Sequence, residues 1–271
     1  MILKKNNSNS VESFKNSSKK SAICGFNSRV KFELFIFIFF LILQIIFWYK
    51  TESIKPNLGI VPEVPTISTV KAFSFGDEEF YFRYKGFRIQ NTGDTFGRFS
   101  PLKDYDYSKL YEWFKLFDKL NNKSNYIPSL AAYYYSMTQN EKDVIYIINY
   151  LVEHADKNPS EKWWWYYQAM TLANNVYKDN ELAISIAKKL KDSSPENAPL
   201  WTKQMLAILL ANQGQNCEAL RVITGIIDEY DKQGTDKKSV DDNEMNYMRF
   251  FIEKQLKKLK ESRFNPKDCY K

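Results

Sequence analysis

The chain has 271 residues, a formal charge of +7 and a pI near 9.0, a balance that at first suggests a nucleic-acid binder. The charge is unevenly placed: residues 1–50 hold eight Lys/Arg against Glu12 and Glu33, residues 51–242 hold 23 against 26 acids, and residues 243–271 hold eight against four. The long middle is therefore slightly acidic, which argues against nucleic acid as a partner; one histidine and three cysteines without metal-type spacing argue against a metal site, and no cofactor is expected.

Residues 1–31 read as a basic, disordered arm, polar and rich in Ser, Asn and Lys, with too little apolar content to fold. Leu34–Tyr49, LFIFIFFLILQIIFWY, is the one long apolar run. Its 16 residues make a helix of ~24 Å, short of the ~30 Å hydrocarbon core. Including Val30–Glu33 brings it to about 20 residues, with Lys31 and Glu33 able to snorkel. The anchor is set at 32–50, with Trp48 and Tyr49 at its far end, where amphipathic rings prefer the headgroup level. Seven cations precede the run (Lys4, Lys5, Lys15, Lys19, Lys20, Arg29 and Lys31), whereas Lys50 and Lys55 behind it are opposed by Glu52 and Glu63. The positive-inside rule then puts the N-terminus in the cytoplasm and the body outside it. A bias toward Asn, Lys, Ile, Phe and Tyr fits an AT-rich genome, and on that compositional ground the expected location is a bacterial inner membrane with the body on its periplasmic side. A cleaved signal peptide is the competing reading, disfavoured by the long arm in front and by the lack of a small-x-small site; a buried core helix is the third.

Residues 51–75 contain Pro56, Pro62 and Pro65 and read as a semi-rigid stalk. A helix is expected from Gly76-Asp77-Glu78-Glu79, carrying Phe80, Tyr84 and Phe87 at helical spacing, and Asn91–Asp94 breaks it. Gly93–Arg98 lacks the pattern of a phosphate loop and reads as a plain connection. From Asp104 every element reads helical: 105–120, 127–139, 142–155, 160–176, 180–191, 195–212, 216–230 and 243–263. Asn158-Pro159-Ser160-Glu161 offers a capping box and Ser194-Pro195-Glu196 a second cap with proline at N1. Gly214 stands where a left-handed residue is wanted. His154, near the end of its helix, reads as a cation favoured by the helix dipole.

Laid over itself with a shift of 36, the middle of the chain matches in places: Pro159 on Pro195, Trp165 on Trp201, Tyr134 on Met170 and Leu206, Leu151 on Ala187 and Ile223, Ile147 on Ala183 and Ala219. A period of that length with two helices in it is the mark of a solenoid. The best copy, Leu206-Ala207-x2-Leu210-x3-Gly214-x4-Ala219-x3-Ile223, resembles the tetratricopeptide repeat (TPR) in its order of small and large positions. The copy before it has Met170, Ala183, Ala187, Leu190 and a closing Pro195; the one before that keeps Ile147, Leu151 and Pro159 but puts Tyr134-Tyr135 where a small residue is expected. The likeness covers residues 128–230, with a spacing of 36 where the family has 34, and a generic array of helical hairpins is the alternative. The resemblance implies an all-α, TPR-like α-solenoid of antiparallel helix pairs preceded by one transmembrane helix, with a concave face that takes a peptide or partner helix. The segments 76–83, 93–98 and 101–107 also resemble bacterial single-pass membrane proteins with a repeat domain, a likeness that brings no mechanism. The repeat domain is set at 76–242 and a basic amphipathic capping helix at 243–271.

Trp163-Trp164-Trp165-Tyr166-Tyr167 stands out beside Tyr133-Tyr134-Tyr135. Successive helical residues lie ~100° apart, so three tryptophans cannot share one core face. Some pack between hairpins, and the rest line a groove; Tyr133, Tyr134, Trp163, Trp164, Trp165, Tyr166, Tyr167 and Trp201 are the candidate partner contacts. Cys217 and Cys269 are candidates for a disulfide, since both follow the apolar run while Cys24 precedes it. In the last helix Met245, Met248, Phe251, Ile252, Leu256 and Leu259 share a side and Lys254, Lys257, Lys258, Lys260 and Arg263 crowd the second half, which reads as a solenoid cap or as a membrane-touching face. No residue sits in a recognisable nucleophile motif, so no catalysis is expected. The function expected is an interaction scaffold held at the lipid bilayer through Leu34–Tyr49, with an unknown protein or peptide in the groove. The alternatives are a structural subunit of an envelope complex and, third, an enzyme acting on envelope polymers.

Overall fold

The computed structural model describes residues 28–52, 59–95, 97–195, 198–232, 242–262 and 265–270. The first 27 residues of the basic arm, stalk residues 53–58, Glu196 and Arg263 lie outside that description. The chain divides into two units, Met1–Leu58 and Gly59–Lys271.

The first unit contributes one helix, α1 (Ser28–Thr51), longer at its start than the apolar run alone requires. Its span Val30–Thr51 is 22 residues, ~33 Å at the helical rise, enough to cross a hydrocarbon core of ~30 Å. Thr51 Oγ1 donates to the Phe47 carbonyl at 2.8 Å, occupying an acceptor that the helix end leaves free. The apolar side chains of α1 are exposed along its length, unlike those of a core helix. It is a helix long and apolar enough to span a membrane.

The second unit is helical, with one two-residue antiparallel ladder among its described residues. Its first surprise is α2 (Ile67–Ser74), in the stretch read as stalk. Residues 59–74 fold onto the body because they carry its anchors: Val61 and Val70 are buried, Trp113 Nε1 donates to the Pro62 carbonyl at 2.9 Å, and Lys109 pairs with Glu63 at 2.6 Å. Thr66 then starts the helix by accepting from the Thr69 amide. Next, α3 (Glu78–Gln90) is capped by Asp77, whose carboxylate accepts from the Phe80 amide at 2.8 Å. It buries Tyr81, Phe82, Gly86 and Ile89, which leaves Phe80, Tyr84 and Phe87 on the outside. A β-carbon on Gly86 would stand 2.8 Å from the Tyr126 ring, so glycine lets that ring come close.

The connection 91–100 is a small hairpin, β1 (Asp94–Thr95) against β2 (Arg98–Phe99), entered through Gly93 at φ +83°. The Tyr105 hydroxyl donates to the Thr92 carbonyl at 2.5 Å and fills the space a side chain at 93 would need. The remaining helices are α4 (Tyr107–Leu120), α5 (Tyr126–Tyr133), α6 (Val144–Asp156), α7 (Pro159–Leu172), α8 (Asn180–Ser193), α9 (Trp201–Asn212), α10 (Asn216–Lys232) and α11 (Asp242–Glu261). Helix α5 ends at 133, six residues before the expected end, because the chain turns to bury Tyr135, whose carbonyl accepts from the Tyr107 hydroxyl and whose own hydroxyl donates to the Ile89 carbonyl.

Two expected caps are absent. Asn158 makes no side-chain cap bond to the helix; its Oδ1 accepts from the Ser160 hydroxyl at 3.3 Å, and α7 kinks at Lys162. Ser194 closes α8 instead of opening α9, its hydroxyl donating to the Leu190 carbonyl at 2.7 Å. Pro195 and Pro199 cannot continue a hydrogen-bonded helix from behind, and α9 begins only at Trp201. Gly214, at φ +78°, ends α9 as expected, with the Gln215 amide donating to the Leu210 carbonyl.

From α6 to α10 each helix packs most closely on its sequence neighbours, and α11 closes on α10. Helices α6, α8 and α10 start at Val144, Asn180 and Asn216, 36 residues apart. Their equivalent positions Ile147, Ala183 and Ala219, and Leu151, Ala187 and Ile223, are all fully buried. Met248 and Phe251 of α11 enter the same core, while Leu259 packs in a second cluster with Leu220 and Cys269. The apolar side of α11 is thus occupied by the body. Cys217 and Cys269 are bonded, with Cα atoms 5.0 Å apart, and Arg221 donates to the Cys269 carbonyl.

Candidate functional site

Five of the eight candidate aromatics come together on the surface. Trp164 Nε1 donates to the Tyr133 hydroxyl at 2.9 Å, which joins α7 to α5. Trp163 meets Trp164 edge-on at 5.8 Å and Trp201 at 6.1 Å, and Tyr167 contacts Trp164 at 5.2 Å and Trp201 at 4.9 Å, which joins α7 to α9. Tyr133 and Trp164 are exposed, and Trp163, Tyr167 and Trp201 are half-buried. These contributors stand on α5, α7 and α9, alternate helices of the sequence.

The other three go elsewhere. Trp165 and Tyr166 turn into the core, at 4% and 1% exposure, and have no surface to offer a partner. Trp165 meets the His154 ring edge-on, and Tyr166 donates to Asp156 Oδ1 at 2.5 Å. Tyr134 remains exposed but packs on Tyr135 at 5.0 Å. The 100° step between helical residues requires such a division; which ring goes in depends on where the neighbouring helices lie.

A second constellation was not legible in the sequence. His154 is wholly buried, and its Nδ1 lies 2.9 and 2.8 Å from the two oxygens of Asp118 on α4. A carboxylate only accepts, so Nδ1 donates. The same carboxylate accepts from the Tyr150 hydroxyl at 3.0 Å and from Lys157 at 2.9 Å. Burial, the largest influence, pushes the Asp118 carboxyl up, but the hydrogen bonds and charges of His154 and Lys157 together outweigh it and hold the group below its ordinary 3.8. Burial and the neighbouring Asp118 raise the Tyr150 hydroxyl well above its ordinary value, so it stays a donor. His154 is therefore no exposed cation at a helix end, as the sequence reading has it. His154 Nε2 is buried without a hydrogen-bond partner. Through these bonds the Asp118 carboxylate ties α4 to α6. Nearby, Lys162 donates to the Asn122 carbonyl at 2.6 Å, and burial lowers its pKa.

A third feature is a half-open cavity of about 490 Å³ between residues 62–92 and Trp113, lined by Phe73, Phe75, Phe80, Tyr84, Lys85 and Arg88 among others. No cluster of three or more His, Cys, Asp or Glu side chains suited to a metal occurs among the described residues. Comparison with protein-family models, with curated proteins and with solved structures finds no match to this chain.

Proposed function

We propose that the chain is a single-pass, membrane-anchored scaffold whose body is a TPR-like α-solenoid that binds a protein or peptide across its aromatic face, without chemistry of its own. The observation that carries this reading is the joined row Tyr133–Trp164–Tyr167–Trp201. In an array of helix pairs α5/α6, α7/α8 and α9/α10, all of its members belong to the first helix of a pair. One face of a stacked array is built from such equivalent helices, and clustered Trp and Tyr are what interfaces use as anchors. The 36-residue spacing of α6, α8 and α10 and their buried small and large positions support the repeat. The excess of cations ahead of α1 supports a cytoplasmic N-terminus, and a Cys217–Cys269 bond suits an oxidising compartment such as the periplasm.

The test is site-specific photo-crosslinking in cells. A crosslinker at Trp164 is expected to give one dominant protein adduct that disappears when Trp163 and Trp201 are replaced by alanine. A crosslinker at exposed Ser185 on α8 serves as the reference. Identical adducts from both positions, or none from 164, would refute the scaffold reading.

A further inference from the structure

We infer that the Cys217–Cys269 bond is a redox latch: thiols of the glutathione class open it from the Cys217 side and release α11 and the C-terminal turn from the end of the array. A latch differs from a structural staple in that it opens without unfolding the rest. Three features of this end meet that demand.

The first is the separateness of the seat. Leu220, Leu259 and Cys269 form an apolar cluster of their own, with Cys217, Ile252 and Leu256 packed against it. Both bonded cysteines thus belong to a cluster that joins α10, α11 and the turn Pro266–Tyr270. The helices from α6 to α10 share the large core, which α11 enters with Met248 and Phe251. Helix α11 packs on α10 less closely than the helices from α6 to α10 pack on their neighbours. Lifting α11 therefore uncovers few side chains beside those that stay buried in the array beneath it.

The second is a polar mismatch. Four buried side-chain atoms among the described residues lack a hydrogen-bond partner, and three of them lie at this end: Gln204 Nε2 on α9, Asn216 Oδ1 on α10 and Gln255 Oε1 on α11. Each gives up water on folding without a hydrogen bond in return. The closed end carries that cost, and Gln255 regains water when α11 lifts. The covalent bond offsets the cost by confining α11 to its seat.

The third is access. Cys269 is 1% exposed, whereas Cys217, in the first turn of α10, is only half-buried. An incoming thiolate therefore meets the Cys217 sulfur. It bonds to Cys217 Sγ, the bond to Cys269 breaks, and the electron pair leaves on Cys269 Sγ. Arg221 donates to the carbonyl of Cys269, so its positive charge stands beside the leaving sulfur until a proton from water arrives. A second thiol then attacks the mixed disulfide and frees Cys217. Two thiols are oxidised to one disulfide as the bonded pair is reduced to two cysteines.

The experiment uses the full chain with Cys24→Ser, held in detergent micelles and equilibrated with glutathione buffers of graded redox ratio. Alkylation and mass spectrometry read the state of the bond, and hydrogen exchange reads the helices. The bond is expected to open within the glutathione range, with a mixed disulfide trapped on Cys217 ahead of Cys269. In the reduced chain the amides of α11 are expected to exchange at least about tenfold faster, while those of α6 to α9 keep their protection. Adding Cys217→Ser and Cys269→Ser should give the fast exchange of α11 in every buffer; the reduced chain carries the test if that variant does not accumulate. A bond that excess glutathione leaves closed overturns the latch. So does a reduced chain in which α11 stays protected, or one in which α6 to α9 lose protection together with α11. Trapping on Cys269 first overturns the opening from the Cys217 side.

Discussion

Replacing Asp118 with alanine takes away one carboxylate that three donors share. Lys157, with 38% of its side chain exposed, can turn to water, but His154 and Tyr150 are buried and cannot. Each stranded buried donor costs about 1–3 kcal/mol, so the two together cost about 2–6 kcal/mol. For a body of this size each 1 kcal/mol moves the melting temperature by about 2–4 °C, so the expected loss is roughly 4–24 °C at pH 7. Lys157→Ala, which removes only the solvent-accessible partner, should cost less than about 1 kcal/mol. The measurement is thermal unfolding followed by circular dichroism. The pH dependence has a definite sign. The folded-state pKa of Asp118 lies below its ordinary 3.8, so its contribution is present above about pH 4 and is lost as the pH falls through the folded-state value. The gap between the wild type and Asp118→Asn should therefore narrow as the solution is acidified below about pH 4. A melting shift under about 2 °C for Asp118→Ala, or a gap that widens in acid, would show that the network does not pin α4 to α6.

Other substitutions separate roles that the sequence places side by side. Trp165→Ala should cost about 3–5 kcal/mol in unfolding free energy, whereas Trp164→Ala should cost under about 1 kcal/mol while abolishing crosslinking by a probe placed at Tyr133. Gly93→Ala forces a β-carbon to within 2.1 Å of the Tyr105 hydroxyl in a left-handed conformation, so it should destabilise clearly more than Gly214→Ala, which meets nothing within 4 Å and carries only the conformational cost of about 1–2 kcal/mol. Comparative urea melts check the order. Cys217→Ser opens a 52-residue loop and should lower stability by about 4 kcal/mol in the chain-entropy account, with the loss reproduced in the wild type by reductant.

Most of the helices were legible in the sequence because their apolar positions repeat at helical spacing over a dozen or more residues, as in Val144–Asp156 and Asn180–Ser193. Helix α2 was not: eight residues between prolines and a left-handed phenylalanine carry too little periodicity, and only Val70 and Ser74 are buried in it. The delayed start of α9 turns on Pro199, whose effect depends on whether Ser194 caps the helix before it or the one after. The face of α3 was illegible for a different reason, since aromatic residues occupy both sides of it and spacing alone does not say which side meets α4. Of the aromatic cluster, the membership was partly readable and the geometry was not. Asp118 and His154 are 36 residues apart with nothing between them that marks a pair; only the packing of α4 against α6 makes them neighbours.

The bond between Cys217 and Cys269 also decides how the molecule carries load. A pull applied at the C-terminus enters through Cys269 and passes directly into the first turn of α10, so α11 lies on a slack side branch and cannot be peeled away first. With the bond reduced, the same pull runs along α11, whose packing on α10 then has to resist by itself. A partner or neighbouring complex that tugs on this end would therefore meet a stiff grip in oxidising surroundings and a yielding one in reducing surroundings.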